Sequence, residues 1–298
     1  MKKLILTVVL VTAVLMLPLR ASEAEVVQKR FDTDPGKQAT IHFTGTDGDV
    51  FVKTHSKNEI LFKFKKELKG SKSGRNMEYF KKIRPEIDFS DNRLTIEIKY
   101  PKRGVDIFRS LSGFRVKVVS TLLVPVNSDI KIKVVDGDID AAGVKGDVGL
   151  KCVDGDLKVE DCEGALVLRT VDGDIDVKSS TGSLKAQTTD GDASASGVFS
   201  GIQFKSVDGE GRFTFLKGSV LSEDCNLRSV DGDIRLVFDE RLAFKLDAKT
   251  HDGDIKIDGL QFKNLILEKK NKVKAERGNA RYTIEIKTTD GDIMLREL

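Results

Sequence analysis

Apolar and polar residues alternate along most of this chain, and from about residue 130 the alternation itself repeats. Written in rows of 18 residues, the sequence falls into columns. One apolar column runs Ile139, Leu157, Ile175, Ala193, and a second runs Ala141, Val159, Val177, Ala195, Phe213. Two more run Val148, Leu166, Leu184, Ile202, Val220 and Leu150, Leu168, Ala186, Phe204. A period of two is that of a half-buried strand, so each row predicts two strand segments. Glycine-bearing corners separate them. One corner is an acidic triplet: Asp136-Gly137-Asp138, Asp154-Gly155-Asp156, Asp172-Gly173-Asp174, Asp190-Gly191-Asp192, then the variant Asp208-Gly209-Glu210. The other is a column of Gly146, Gly164, Gly182 and Gly218, with Ser200 the exception. Glycine accepts a positive φ without a Cβ clash.

A strict period means one structural unit stacked on copies of itself. The fold class expected is all-β, a parallel β-solenoid whose coils are 18 residues long. The alternative is an antiparallel β meander, with Asp-Gly as a two-residue type I′ hairpin turn. Equal coil lengths favour the solenoid, because stacking in register requires them. Three residues before each first Asp stand Lys133, Lys151, Arg169, Gln187, Lys205, Arg228, Lys249 and Lys287. Stacked strands lie about 4.8 Å apart, so this cationic column is expected to neutralise the neighbouring Asp ladder. Some Asp side chains should also accept corner N–H groups.

Outside the regular block the spacing loosens. Asp231-Gly232-Asp233, Asp252-Gly253-Asp254 and Asp290-Gly291-Asp292 continue the triplets, and an insertion near 260–278 is placed to cap the open end. Toward the N-terminus, Asp47-Gly48-Asp49 is an early copy, and residues 60–64, 94–98 and 115–123 read as strands, the last stopped by Pro125. Residues 69–82 are polar and basic, a loop or one short helix. No Pro/Ser-rich linker separates 25–129 from 130–298, so the N-terminal β region should be continuous with the repeat.

At Leu123-Val124-Pro125-Val126-Asn127-Ser128-Asp129-Ile130, running into Val134-Val135-Asp136-Gly137-Asp138-Ile139, the chain resembles the bacterial putative-adhesin family, a domain family of unknown function with Gly-Asp-Ile-type β repeats. Residues 278–293 are similar to that family's closing coil, and the resemblance covers about 30–297. It implies a right-handed parallel β-solenoid in an exported or envelope protein. It brings no catalytic residue to transfer, and the triplets here are more acidic than the family's usual pattern.

Composition adds an address. Lys2 and Lys3 precede an apolar run from Leu4 to Leu17, too short to span a bilayer comfortably, and Ser22-Glu23-Ala24 offers small residues for cleavage. Residues 1–24 therefore read as a secretory signal peptide, with an uncleaved anchor as the alternative. No later segment could cross a membrane as a helix, so the mature chain is expected to be exported: periplasmic, cell-surface or secreted. Cys152, Cys162 and Cys225 are too few and unevenly placed for a disulfide framework, and read as small buried hydrophobes.

Charge is uneven. Residues 53–84 hold 11 basic and 3 acidic residues, with Phe62, Phe64, Tyr79 and Phe80 interleaved. This segment, including Lys65, Lys66, Lys81 and Lys82, could meet an envelope protein, a glycan or another anionic surface. The competing reading makes Phe62 and Phe64 core and the lysines solvated. Nucleic acid is not an expected partner of an exported protein. Calcium could use stacked carboxylates, but the nonapeptide of calcium β-rolls is missing, so no cofactor is assigned. A polysaccharide-acting β-helix enzyme would need a singular acidic pair, whereas here the pairs recur in every coil. His42, His55 and His251 share no metal-ligand spacing. No catalytic, cofactor-binding or metal-ligating residue is assigned, and the expected function is a non-enzymatic, adhesin-like binding protein or scaffold of the cell envelope.

Overall fold

The computed structural model describes residues 23–70, 72, 74–101 and 114–298. The segment expected to be a signal peptide lies outside them, apart from Glu23 and Ala24, which open the strand Glu23–Asp32. Among the described residues, 23 strands belong to one sheet and Gly74–Lys82 is the one helix.

The rows stack as parallel ladders. Val148 faces Ile130 on one side and Leu166 on the other, and Leu166 faces Leu184. On the second strand of each row, Leu157 faces Ile139 and Ile175. Partners one period apart in sequence are thus neighbours in space, and Asp-Gly is a corner between coils, not a hairpin turn. The arrangement as a whole is mixed, because antiparallel strands close its ends. Arg84–Ser90 pairs antiparallel with Arg93–Lys99, and Glu23–Asp32 pairs antiparallel with Glu59–Lys69, itself antiparallel to Arg115–Pro125. At the other end the insertion forms the hairpin Asn264–Lys269 and Lys272–Arg277, which lies antiparallel along Phe244–Lys249 and covers that edge.

The order of coils departs from the order of the chain at both ends. First-Asp positions bridge in the series Asp47, Asp136, Asp154, Asp172, Asp190, Asp208, Asp231, Asp290, Asp252. The early copy at Asp47 stacks directly on Asp136. The coil of residues 283–297 does not close the stack: Thr283–Lys287 lies between Cys225–Arg228 and Phe244–Lys249, and Ile293–Glu297 lies between Ile234–Phe238 and Ile255–Asp258. Likewise Ala39–Thr44 is held between Arg93–Lys99 and Ser128–Lys133.

The predicted apolar columns are the core; Ile139, Leu157, Ile175, Val148, Leu166 and Leu184 are all buried. Val220 is a correction. It is 73% exposed, because extra residues after Phe215 postpone the next strand, and Cys225 takes its place, its Sγ 3.3 Å from the Ile202 amide nitrogen. The Ser200 exception has a local cause: the pairing of Ile175–Gln187 with Ala193–Lys205 shifts register between Gly182 and Ser183, so Phe199 and Gly201 are the partners and Ser200 is bypassed. Where the columns shrink to Ala193 and Ala195, Phe204 and Phe213 pack at 5.0 Å between ring centroids. Phe215, Phe238 and Phe244 continue as a stacked series at 5.6 and 4.6 Å.

Candidate binding surface

The two carboxylates of each triplet have different tasks. The second Asp reaches along the stack and accepts the backbone N–H of its counterpart in the next coil. Asp156 N donates to Asp138 Oδ1 at 2.9 Å, Asp174 N to Asp156 Oδ1 at 3.0 Å, and Asp192 N to Asp174 Oδ1 at 2.8 Å. Asp292 and Asp254 continue the series onto Asp233 and Asp292. Asp is short enough to hold this geometry; Glu210 breaks it and turns its carboxylate to Arg212 instead. Expected corner hydrogen bonds are therefore present, but they run between coils. The first Asp points outward, and its column is mutually repulsive. Asp231 is held above the usual carboxylate range, by desolvation first and then by Asp208 and Asp290 on either side.

The central glycine is required twice over. Gly173 has φ 153°, and a Cβ there would collide with the Gly155 carbonyl of the preceding coil. That carbonyl also accepts from a buried column that sequence reasoning missed. Two residues before each first Asp from Asp154 onward stand Cys152, Thr170, Thr188, Ser206, Ser229, Thr250 and Thr288. Thr170 Oγ1 lies 3.1 Å from Gly155 O, and Thr250 Oγ1 lies 2.9 Å from Gly291 O. Cys152 occupies the same column, its Sγ 3.1 Å from Gly137 O. Listing residues by phase within the row would have exposed the run of hydroxyls. The three cysteines are free and buried, as expected, and burial pushes the Cys152 thiol up to about 11.

The cationic column does not neutralise the triplets in the way its sequence position suggested. Three cations that reach triplet carboxylates sit on the following strand, Arg212 to Asp192 at 3.3 Å, Arg235 to Asp233 at 3.1 Å and Lys256 to Asp292 at 2.7 Å, and two come from elsewhere, Lys117 to Asp49 at 3.7 Å and Lys270 to Asp254 at 3.1 Å. The column before the corner stacks in register as Lys133, Lys151, Arg169, Gln187, Lys205, Arg228, Lys287 and Lys249. Arg228 and Lys287 share Glu285. Lys133, Lys151, Arg169 and Lys205 are exposed and form no ion pair among the described residues.

In the basic N-terminal segment the structure decides for the core reading. Phe62, Phe64 and Phe80 are buried, and Tyr79 is half-buried with its ring 5.9 Å from Phe114. Lys66 is buried too, 1% exposed. Its Nζ donates to the carbonyls of Phe80 and Ile83 at 2.8 and 2.7 Å and pairs with Glu25 at 3.0 Å. It closes the C-terminal end of the helix, where a cation is favoured. Lys82 pairs with Glu78 at 2.7 Å and Lys65 with Glu67 at 3.6 Å. The strand Glu59–Lys69 alternates, so Phe62, Phe64, Lys66 and Leu68 share the inner face, while Lys63, Lys65 and Lys69 face outward.

No group of three or more His, Cys, Asp or Glu among the described residues is arranged to hold a metal ion. No described helix is long and apolar enough to cross a membrane. A family model, Toastrack DUF4097, matches residues 33–296. The chain belongs to the Toastrack DUF4097 family. The resemblance to a putative-adhesin family of unknown function is thus borne out. No curated protein matches this Toastrack chain. Solved structures similar to it include a putative adhesin from Bacteroides fragilis, at 13% identity over 92% of this chain and 97% of that one, with a TM-score of 0.47. A putative adhesin from Parabacteroides merdae is 12% identical over 92% and 96%, with a TM-score of 0.41. A putative cell adhesion protein from Clostridium sporogenes is 15% identical over 93% and 100%, with a TM-score of 0.29.

Proposed function

We propose that this Toastrack chain is an exported, non-enzymatic protein of the cell envelope that acts by binding or support. Residues 1–24 are its signal peptide, and residues 25–129 run without a break into a right-handed parallel β-solenoid over 130–298. The observation that carries the reading is the employment of the triplets. The one repeated motif that could suggest a reaction centre spends its second carboxylate on the backbone of the next coil. What remains is a long, regular set of exposed columns, suited to an extended partner. Fractionation of the source cells with an antibody to the folded protein tests the address. Recovery in the envelope or medium, with the N-terminus at about Glu25, is expected; a cytosolic protein retaining Met1 overturns the reading.

The carboxylates are not a cation store in this reading. Thermal melts with and without millimolar calcium are expected to coincide, since the second-Asp Oδ1 atoms already accept a backbone N–H and the last of them, Asp254, is paired with Lys270. A rise in Tm on adding calcium, abolished by chelator, would replace scaffold with calcium-bound module.

A further inference from the structure

We propose that the column Lys133, Lys151, Arg169 and Lys205 is a track for one strand of a linear acidic polysaccharide. The proposal rests on the envelope-binding reading and names its partner class. Adjacent rungs of the ladder are about 4.8 Å apart, and like charges stacked at that spacing repel one another even in water. No carboxylate among the described residues pairs with these four cations, while on the next strand Lys256 holds one and Arg212 and Arg235 hold two each. A ligand with anionic groups along its length would relieve the repulsion rung by rung.

The surroundings fix the width of the track. Two residues toward the N-terminus on the same outer face, Lys131 and Lys185 add charge, while Gly149 and Val167 leave a low shoulder between them. Beyond that shoulder lie Asp129 and Asp147, whose Oδ1 atoms accept the backbone N–H groups of Asp147 and Ala165 at 2.8 and 3.3 Å. On the other side a column of exposed valines, Val135, Val171 and Val207, separates the cations from the first-Asp ladder. Three backbone steps into the corner set that ladder up to about 10 Å away. An anionic membrane would press on both acidic columns, whereas a thread one molecule wide clears them. A single nucleic-acid strand is also a thread, but its binding relies on aromatic platforms, and these columns hold none.

The test is fluorescence anisotropy of the full chain with labelled heparin oligosaccharide and polygalacturonate over a salt series, with dextran as the neutral control. The expected result is salt-sensitive binding of both acidic chains and none of dextran. The triple variant Lys133→Gln/Lys151→Gln/Arg169→Gln should weaken it at least about tenfold and flatten the salt slope by about two to three. Gln187→Lys fills the one neutral rung, and should tighten binding and steepen the slope by about one; a gain cannot come from misfolding. Unchanged affinity in both variants overturns the proposal. So does tighter binding of oligo-dT or phosphatidylglycerol vesicles than of either polysaccharide, or self-association in sedimentation that the triple variant abolishes. If the wild-type chain binds isolated envelopes but no acidic polysaccharide, the track fails and the envelope reading stands; if it binds neither, both fail.

Discussion

At the level of single residues, the first and second aspartate positions of the triplets should respond to substitution in opposite directions. Asp174→Ala removes the acceptor for the Asp192 N–H and is expected to cost about 1 kcal/mol, read from urea unfolding, while Asp174→Asn keeps an oxygen there and should cost less. Asp231→Asn should instead raise Tm at neutral pH, because it removes a charge from a column that repels itself. A carboxyl held above its ordinary range in the folded protein supplies stability that is complete below the unfolded pKa and lost as pH rises through the folded one. Asp231 is such a group, by desolvation and by its neighbours Asp208 and Asp290. The advantage of Asp231→Asn should therefore shrink as calorimetry is carried from neutral pH to below about 4; an advantage that grows on acidification would refute the ladder account. Cys152→Thr restores the majority residue of its column and should be within about 1 kcal/mol of wild type. The sequence makes both Asp columns equally visible. It cannot separate them, because the difference lies in which carboxylate points along the stack and which points to water.

Individual strands and the helix show where charge counting misleads. Residues 53–84 carry a large basic excess, yet the strand Glu59–Lys69 spends one of its lysines inside the fold. Lys66 ties three elements together: its own strand, the end of the helix Gly74–Lys82, and the strand Glu23–Asp32 through Glu25. Lys66→Met keeps the bulk and leaves two carbonyls unserved, with an expected loss of about 2–4 kcal/mol in urea unfolding. Hydrogen exchange should then show the helix opening before the stacked rows; uniform destabilisation with the helix still protected would argue that the lysine matters only as filler. The parity of Phe62, Phe64, Lys66 and Leu68 was readable in the sequence and points to this burial. The tally of charges over a window of both parities hid it. Strand positions in the regular rows were legible for the opposite reason: alternation and period agree there, so one reading serves every coil.

For the molecule as a whole, the period predicts stacking but not the order of stacking. Any row carrying an Asp-Gly-Asp corner can sit on any other, so sequence alone gives no preference for Asp290 between Asp231 and Asp252. The register and the antiparallel ends come from contacts far apart in the chain. One result is that residues 283–297 are an interior part of the stack. A chain stopped after Gly278 should lose far more than its last coil: with Thr283–Lys287 and Ile293–Glu297 gone, Phe244–Lys249 and Ile255–Asp258 have no parallel neighbour. Limited proteolysis of that truncation is expected to trim back to about residue 239, whereas trimming that halts near 278 would show that residues 244–277 dock by themselves. The same placement governs how the protein can be assembled in time. A chain delivered N-terminus first can stack its middle rows as they arrive, but residues 244–277 must wait, unfinished, until the final segment slips in beneath them. The first coil waits in the same way for residues 93–133. Completion at both ends therefore comes late, and residues 283–297 are among those that lock the fold.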